Sequence, residues 1–336
     1  MSATLESPSY TVAVITEKNK YDLSPVVTSI EFSNNNKQFA NRVTINLMNT
    51  LVEGSWMSST LKVRQRIFIY ADDGEKKDEV FRGYIWTINY KSSNSDRNLE
   101  IRCYDNLIFF QESDESTFFS AGKSTKDVIG SIFRKWGVNI EYTYQSITHS
   151  KLALRGNLSD IITSDILNLV YERTSKKYVI LSEKDIVKIR GVGENKTVYQ
   201  LLERNNAIYT KTEQTMEGMV TKVIITGKTD SEDRTPIEAT VYGNTGQYGT
   251  LQQIISRDEN TSLSDAKKEA QSIIDENGSP KWEYEIETAD IPWIQKGDKV
   301  YVNAGGIKDK YLIVSGISRS ISAKTSTMIL TMEQEK

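Results

Sequence analysis

The chain has a single cysteine, Cys103, and a single histidine, His149, among its 336 residues. An internal disulfide is excluded, and a Cys/His zinc site or a Cys–His or Ser–His–Asp catalytic centre has almost no raw material. Long hydrophobic runs are missing as well. The longest, residues 67–71, is about five residues, where a membrane helix needs ~20, so no membrane insertion is expected. Nor is there an excess of positive charge: Lys plus Arg total 42 against 45 Asp plus Glu, a formal net charge of -3. Specific nucleic-acid binding, which calls for clustered basic residues, is therefore not expected. Met1-Ser2-Ala3-Thr4-Leu5-Glu6 carries neither the basic nor the apolar region of a signal peptide, which leaves cytoplasmic synthesis as the expectation. These absences remove most common enzyme classes, and no catalytic residue, cofactor or metal is expected.

What remains is a polar chain with a lean core. Hydrophobic residues make up 38%, the low side of globular composition even once glycine is added. The first hundred residues read as strands. Val43, Ile45 and Leu47 alternate with Thr44 and Asn46, the period-two pattern of a half-buried strand. Runs at 67–70, 81–90 and 99–104 follow, with Ala71-Asp72-Asp73-Gly74 as a turn, so 1–106 is expected to be an antiparallel β-domain. Near residue 107 the period changes. Ser124 and Asp127 form a capping signature ahead of Val128, Ile129, Ile132, Phe133 and Trp136 on one helical face, and Gly137 supplies the stop. A second helix over about 159–173 and a hairpin across Ser182-Glu183-Lys184-Asp185 complete a small α/β module at 107–206. The strands return in 207–336, a second β-domain carrying one helix at about 264–277.

The two ends echo one another. Ile67-Phe68-Ile69-Tyr70, Phe81-Arg82-Gly83-Tyr84-Ile85 and Leu99-Glu100-Ile101 resemble Val300-Tyr301-Val302, Ile313-Val314-Ser315-Gly316-Ile317 and Met328-Ile329-Leu330. Ile67 to Gly83 and Val300 to Gly316 both span 16 positions. Either any two β-meanders look alike, or one tube-like β-domain occurs twice per chain, in which case Gly83 should superpose on Gly316. The expected fold class is thus mainly β with an α+β insert: two antiparallel barrel or sandwich domains flanking the α/β module.

Candidate chemistry is thin. Gly122-Lys123-Ser124-Thr125 contains the G-K-S of a P-loop, but Thr117 stands where the first glycine belongs, so a helix start fits better. Gly191 and Gly193 lack the third glycine of a dinucleotide fingerprint. Asp72/Asp73 and Asp230/Glu232/Asp233 lie in turn-like segments without a calcium-loop pattern. His149 is expected at the surface, and Cys103 on the apolar face of a strand as a small hydrophobe. Glu283, Glu285 and Glu287 alternate with Trp282, Tyr284 and Ile286; they form either a solvated face or an acidic stripe lining a pore.

Three runs carry a resemblance to a known family. Phe81-Arg82-Gly83-Tyr84-Ile85, followed by Leu99-Glu100-Ile101-Arg102-Cys103-Tyr104-Asp105, resembles the signature of baseplate hub proteins of contractile phage tails and phage-like bacteriocin particles, the late-control D type included. Lys123-Ser124-Thr125-Lys126-Asp127-Val128-Ile129 resembles the helix opening that family's middle domain, and Ile294-Gln295-Lys296-Gly297-Asp298-Lys299-Val300 its terminal β-domain. The resemblance implies a non-enzymatic structural protein made in the bacterial cytoplasm and built into the tail baseplate. It implies a homotrimer that joins a sixfold tail tube protein to a threefold central spike protein, in contact with other baseplate proteins. Phe81, Gly83, Asp105, Gly297 and Gly316 are then the repeat-defining residues, and the three glutamates would face the lumen. A cell-wall glycan hydrolase using paired carboxylates and a β-rich carbohydrate-binding module displaying some of the 17 tyrosines are the alternatives.

Overall fold

The computed structural model describes residues 7–17, 19–35, 38–52, 54–92, 97–228, 235–257 and 261–334. Met1 to Glu6 and the carboxylates Asp230, Glu232 and Asp233 lie outside the described residues.

Besides three strands of two or three residues, six longer ones open the chain: β1 (Ser9–Ile15), β2 (Val27–Asn34), β3 (Arg42–Met48), β4 (Arg66–Asp72), β5 (Lys77–Ser92) and β6 (Arg97–Tyr104). They lie in the order β2-β3-β6-β5-β4-β1 with every pair antiparallel. Alternation sends Val43, Ile45, Leu47, Leu99, Ile101 and Cys103 into one core, where each buried aliphatic side chain contributes about 1.5–3 kcal/mol. Burial also pushes the Cys103 thiol pKa up, so it stays protonated.

The middle module contains β7 (Asp114–Phe119), α1 (Thr125–Lys135), β8 (Asn139–Tyr142) and β9 (Leu152–Asn157). A helical stretch follows whose centre, Ile161–Leu167, is a π-helix, and then the hairpin β10 (Tyr178–Glu183) and β11 (Ile186–Gly191). Ser124 caps α1, its Oγ accepting the Asp127 N–H at 3.1 Å. The loop bearing His149 folds back over that cap: Gly122 N–H donates to the His149 carbonyl, and His149 N–H to the Lys123 carbonyl. The backbone of the G-K-S run is thus occupied in pairing, and His149 is not a surface residue. Its side chain is buried with Nε2 2.8 Å from Thr125 Oγ1. Burial, and then the charge of Arg173, lower its pKa below the ordinary value.

After β12 (Tyr199–Leu202) and β13 (Ala207–Thr215) come β14 (Lys222–Thr226), β15 (Ile237–Tyr242), β16 (Gln252–Ser256) and α2 (Leu263–Asn277). The chain ends in β17 (Lys281–Ala289), β18 (Lys299–Ala304), β19 (Ile307–Ser322) and β20 (Ser326–Gln334). Two compact units result: Met1–Lys211 with Tyr284–Lys336, and Thr212–Glu283. In the smaller unit β14 pairs antiparallel with β15 and parallel with β16. Ala266, Ala270 and Ile274 of α2 pack on Val223 and Ile225, and Ser262 caps the helix by accepting the Asp265 N–H. The helix expected at 264–277 therefore belongs to this unit, and β12, upstream of 207, pairs with β18.

The strands β13-β17-β20-β19-β18-β12 repeat, in chain order and in sheet order, the arrangement of β2-β3-β6-β5-β4-β1. Both copies have a central strand of 16 residues, β5 and β19. Each central strand carries a bulge against its following strand, at Trp86 in β5 and at Ser315 in β19. Alignment on these bulges places Gly83, three residues before its bulge, opposite Leu312, while Gly316 follows its bulge immediately. The two glycines occupy corresponding strands four positions out of step. The equal 16-residue spacing arises from unequal turns: Ile67 pairs with Gly83, but Val300 pairs with Leu312. Gly83 is required by close packing, since a Cβ there would lie 2.2 Å from the Tyr104 carbonyl oxygen. At Gly316 the nearest atom is 3.6 Å away.

The copies are also joined. Residues 317–322 of β19 pair antiparallel with residues 29–34 of β2, making one continuous sheet and placing Ile321 of the second copy in the core of the first.

Candidate functional site

The first copy, the module hairpin and the second copy meet around a cavity of about 590 Å3. The β10–β11 turn reaches its rim with two consecutive residues at positive φ, Lys184 (49°) and Asp185 (69°), the conformation of a tight hairpin. A lysine is unfavourable there, and the side chains offset the cost. Asp185 receives Arg66 at 2.6 Å and Arg82 at 2.9 Å, Arg82 also forks onto Glu79 at 2.7 Å, and Lys184 meets Asp78 at 2.6 Å. Burial pushes the Asp185 carboxyl up, but hydrogen bonds from Arg66 and Arg82 outweigh it and hold the pKa below the usual range. The Lys184 hydrogen bond likewise lowers Asp78. The module is thereby fastened to β4 and β5 by planar, charge-assisted contacts.

The module is fastened to the second copy as firmly. Arg190 donates to Asp298 at 2.6 Å with both side chains largely buried; burial dominates and raises the Asp298 pKa above its ordinary value. Gly297, with φ of 82°, accepts the Gly193 N–H and donates to the Val314 carbonyl, each at 2.7 Å. A Cβ there would lie 2.7 Å from a methyl of Val179, so glycine is needed both for conformation and for closeness. First and second copies are bolted directly by Asp290, which is fully buried and accepts from Arg319, Ser326 and Tyr10. Trp293 donates to Asp73, while Lys76 lies 4.0 Å over the Trp293 ring.

Of the residues singled out from sequence, Gly297 lies at this junction. Phe81 is buried in the first core in an edge contact with Phe32. Asp105, fully buried where β6 ends, accepts from Asn41 N–H, Asn41 Nδ2 and Leu107 N–H, and burial lifts its pKa to about 7. Glu283 is exposed, and Glu285 and Glu287 half-buried, on the face of β17 opposite buried Tyr284, Ile286 and Thr288. Arg66, Asp290 and Arg319 carried no signal in the sequence beyond their charge, and Arg82, Asp185 and Lys296 lay in runs noted for other reasons. Among the described residues no cluster of His, Cys, Asp or Glu could hold a metal ion, and no helix is long and apolar enough to cross a membrane.

The YQBQ-like family matches residues 30–333, spanning both copies, the module and the inserted unit. The chain belongs to the YQBQ-like family. This fold recurs in the 43 kDa tail protein of prophage MuSo2 from Shewanella oneidensis, at TM-score 0.72 and 13% identity over 97% of this chain and 98% of that one. A tail protein from Neisseria meningitidis follows at TM-score 0.69 and 14% identity, with 97% of each chain covered. An Escherichia coli component of the type VI secretion system, itself similar to T4 tail proteins gp27 and gp5, gives 0.59 and 10% over 97% of this chain and 77% of that one. No curated protein matches this YQBQ-like chain by sequence. The mainly β fold class is borne out, and the expected resemblance is borne out as a fold shared with phage tail proteins.

Proposed function

We propose that this protein is the structural hub of a contractile-tail baseplate, in a phage or a bacteriocin particle, and that it works as a homotrimer adapting a sixfold tail tube to a threefold central spike. The observation that carries this reading is the seam between the two copies. Within one chain, residues 317–322 of β19 recruit β2 as a neighbour. The equivalent part of β5, residues 88–92, pairs only with β6 among the described residues, because the pairing of β4 with β5 ends at Tyr84 and that of the loop before β4 at Ile85. The equivalent of β2 is β13, which stands at the end of the sheet. Pairing β5 of one copy with β13 of the next repeats the internal seam between chains and covers two open edges. Three chains then close a ring of six similar domains, which gives pseudo-sixfold contacts to a tube and true threefold contacts to a spike. The face carrying Glu283, Glu285 and Glu287 is read as the lumen wall, where negative charge repels passing anionic polymers.

The test is mass in solution, alone and with the spike and tube proteins. A species of three times 38.1 kDa supports the hub; a strict monomer that ignores both partners overturns it.

A further inference from the structure

We propose that the junction cavity binds carboxylate groups, with Lys296, Lys196 and Arg42 as the receiving cations. Nine Lys or Arg and five Asp or Glu line it, a local positive excess in a chain of net charge -3. All five acidic residues are engaged. Asp78 holds Lys184, Glu79 holds Arg82, Glu183 holds Lys188 and Asp298 holds Arg190, while Glu194 accepts the Gly191 N–H. Of the other five cations, Arg319 is paired with Asp290, and Lys76 lies 3.8 Å from Asp78 and over the Trp293 ring, which leaves three. Arg42 and Lys196 have no side-chain hydrogen bond or ion pair among the described residues. The Lys296 ammonium donates to the Asn35 carbonyl at 3.0 Å and meets no carboxylate among the described residues.

Lys296 is the centre of the site. It lines both this cavity and a neighbouring one of about 360 Å3, so it stands in the wall between them. Burial lowers its pKa to about 8, as expected for a half-buried ammonium without a compensating charge. A carboxylate entering the cavity would supply that charge. The volume is that of a small-ligand site, and the cations come from three separate stretches of chain. Such a spread suits several carboxylates along a backbone better than one compact phosphate. The carboxylates can come from a free polycarboxylate or from the acidic side chains of a docking protein segment. This inference does not depend on the hub reading.

The test is titration calorimetry on the full chain at fixed ionic strength, with citrate, with acetyl-Glu-Glu-Glu-amide and with inorganic phosphate. Lys296→Met should weaken carboxylate binding about tenfold or more, as expected for loss of a charge-assisted contact. Its unliganded melting point should stay level or rise, because the uncompensated ammonium is gone. Lys196→Met should weaken binding less, and Lys267→Met, on the exposed face of α2, not at all. Binding of the peptide alone assigns the site to a protein segment, and binding of citrate alone to a free anion. Failure of both carboxylates to bind, binding of phosphate only, or equal binding by Lys296→Met overturns the proposal whatever the oligomeric state proves to be.

Discussion

The two β-copies share six strands in one order, yet they differ at nearly every connection. The first copy turns from β4 to β5 through residues 73–76; the second turns from β18 to β19 through Gly305 and Gly306. The first strand is antiparallel to its neighbour in one copy and parallel in the other. Between β2 and β3 the first copy has only residues 35–41, where the second has the whole Thr212–Glu283 unit between β13 and β17. Strand order, bulge position and the 16-residue central strand are kept, and these are the features the β19–β2 seam uses. Loops and termini are where the copies have become different, so a ring of them would carry threefold features on a sixfold frame.

The largest expected difference is one of pH response. Alignment on the bulges sets Asp105 of the first copy opposite Gln334 of the second, whose amide donates to the Tyr284 hydroxyl at 2.8 Å. Asp105 has a folded pKa of about 7, raised by burial from 3.8. A carboxyl raised in this way contributes stability that is complete below its unfolded pKa and is lost as pH climbs through the folded one. The Asp105 contribution to stability should therefore fall between about pH 4 and pH 7 by at most about 4 kcal/mol and level off above. Urea unfolding across that range checks it: the decline should flatten in Asp105→Asn, and a decline that persists unchanged in that variant would place its source elsewhere than β6.

Next in size is the bolt between the copies. Asp290→Asn removes the charge facing Arg319, a pair with 0% and 11% side-chain exposure. Loss of about 3 kcal/mol is expected, at the low end for a broken buried pair, because Arg319 also donates to the Ile294 carbonyl at 2.6 Å. A cost below that of an ordinary surface substitution would show that the buried pair, on which the Tyr10 contact to the first copy rests, adds nothing to the fold.

The glycines sharpen the comparison further. Gly83→Ala forces a methyl onto the Tyr104 carbonyl and should cost about 1–3 kcal/mol, whereas Gly316→Ala should stay within about 0.5 kcal/mol. Equal costs in urea titrations would contradict the four-residue offset. That offset also marks how far the sequence could be read. Alternation and turn residues were enough to find β3 to β6 and β18 to β20, and Ser124 and Gly137 enough to bound α1, since these signals are local. The spacing of Gly83 and Gly316 misled because pairing register depends on turn length, which residue counting along one strand does not see. His149 misled because the loop that buries it is held by backbone pairing to Lys123 and Gly122. The charged junction was invisible for a similar reason: Arg66, Arg82 and Asp185 are far apart in the chain, and only the fold brings them within 3 Å.

The smallest effect on the isolated chain should come from the edge that matters most to assembly. Ile321, inside the internal seam, is buried, so Ile321→Ala should lower monomer stability by about 2–5 kcal/mol. Tyr90, on the corresponding stretch of β5, is 52% exposed, so Tyr90→Asp should leave the melting point of an isolated chain nearly unchanged. If the same strand edge pairs with β13 of a neighbour, the substitution instead buries an unpaired carboxylate at an interface and should shift the trimer toward monomer in sedimentation at fixed concentration. An exposed tyrosine that alters assembly without altering stability separates the seam from the fold. A variant that melts early, or one that trimerises as before, would place the contact between copies on some other edge.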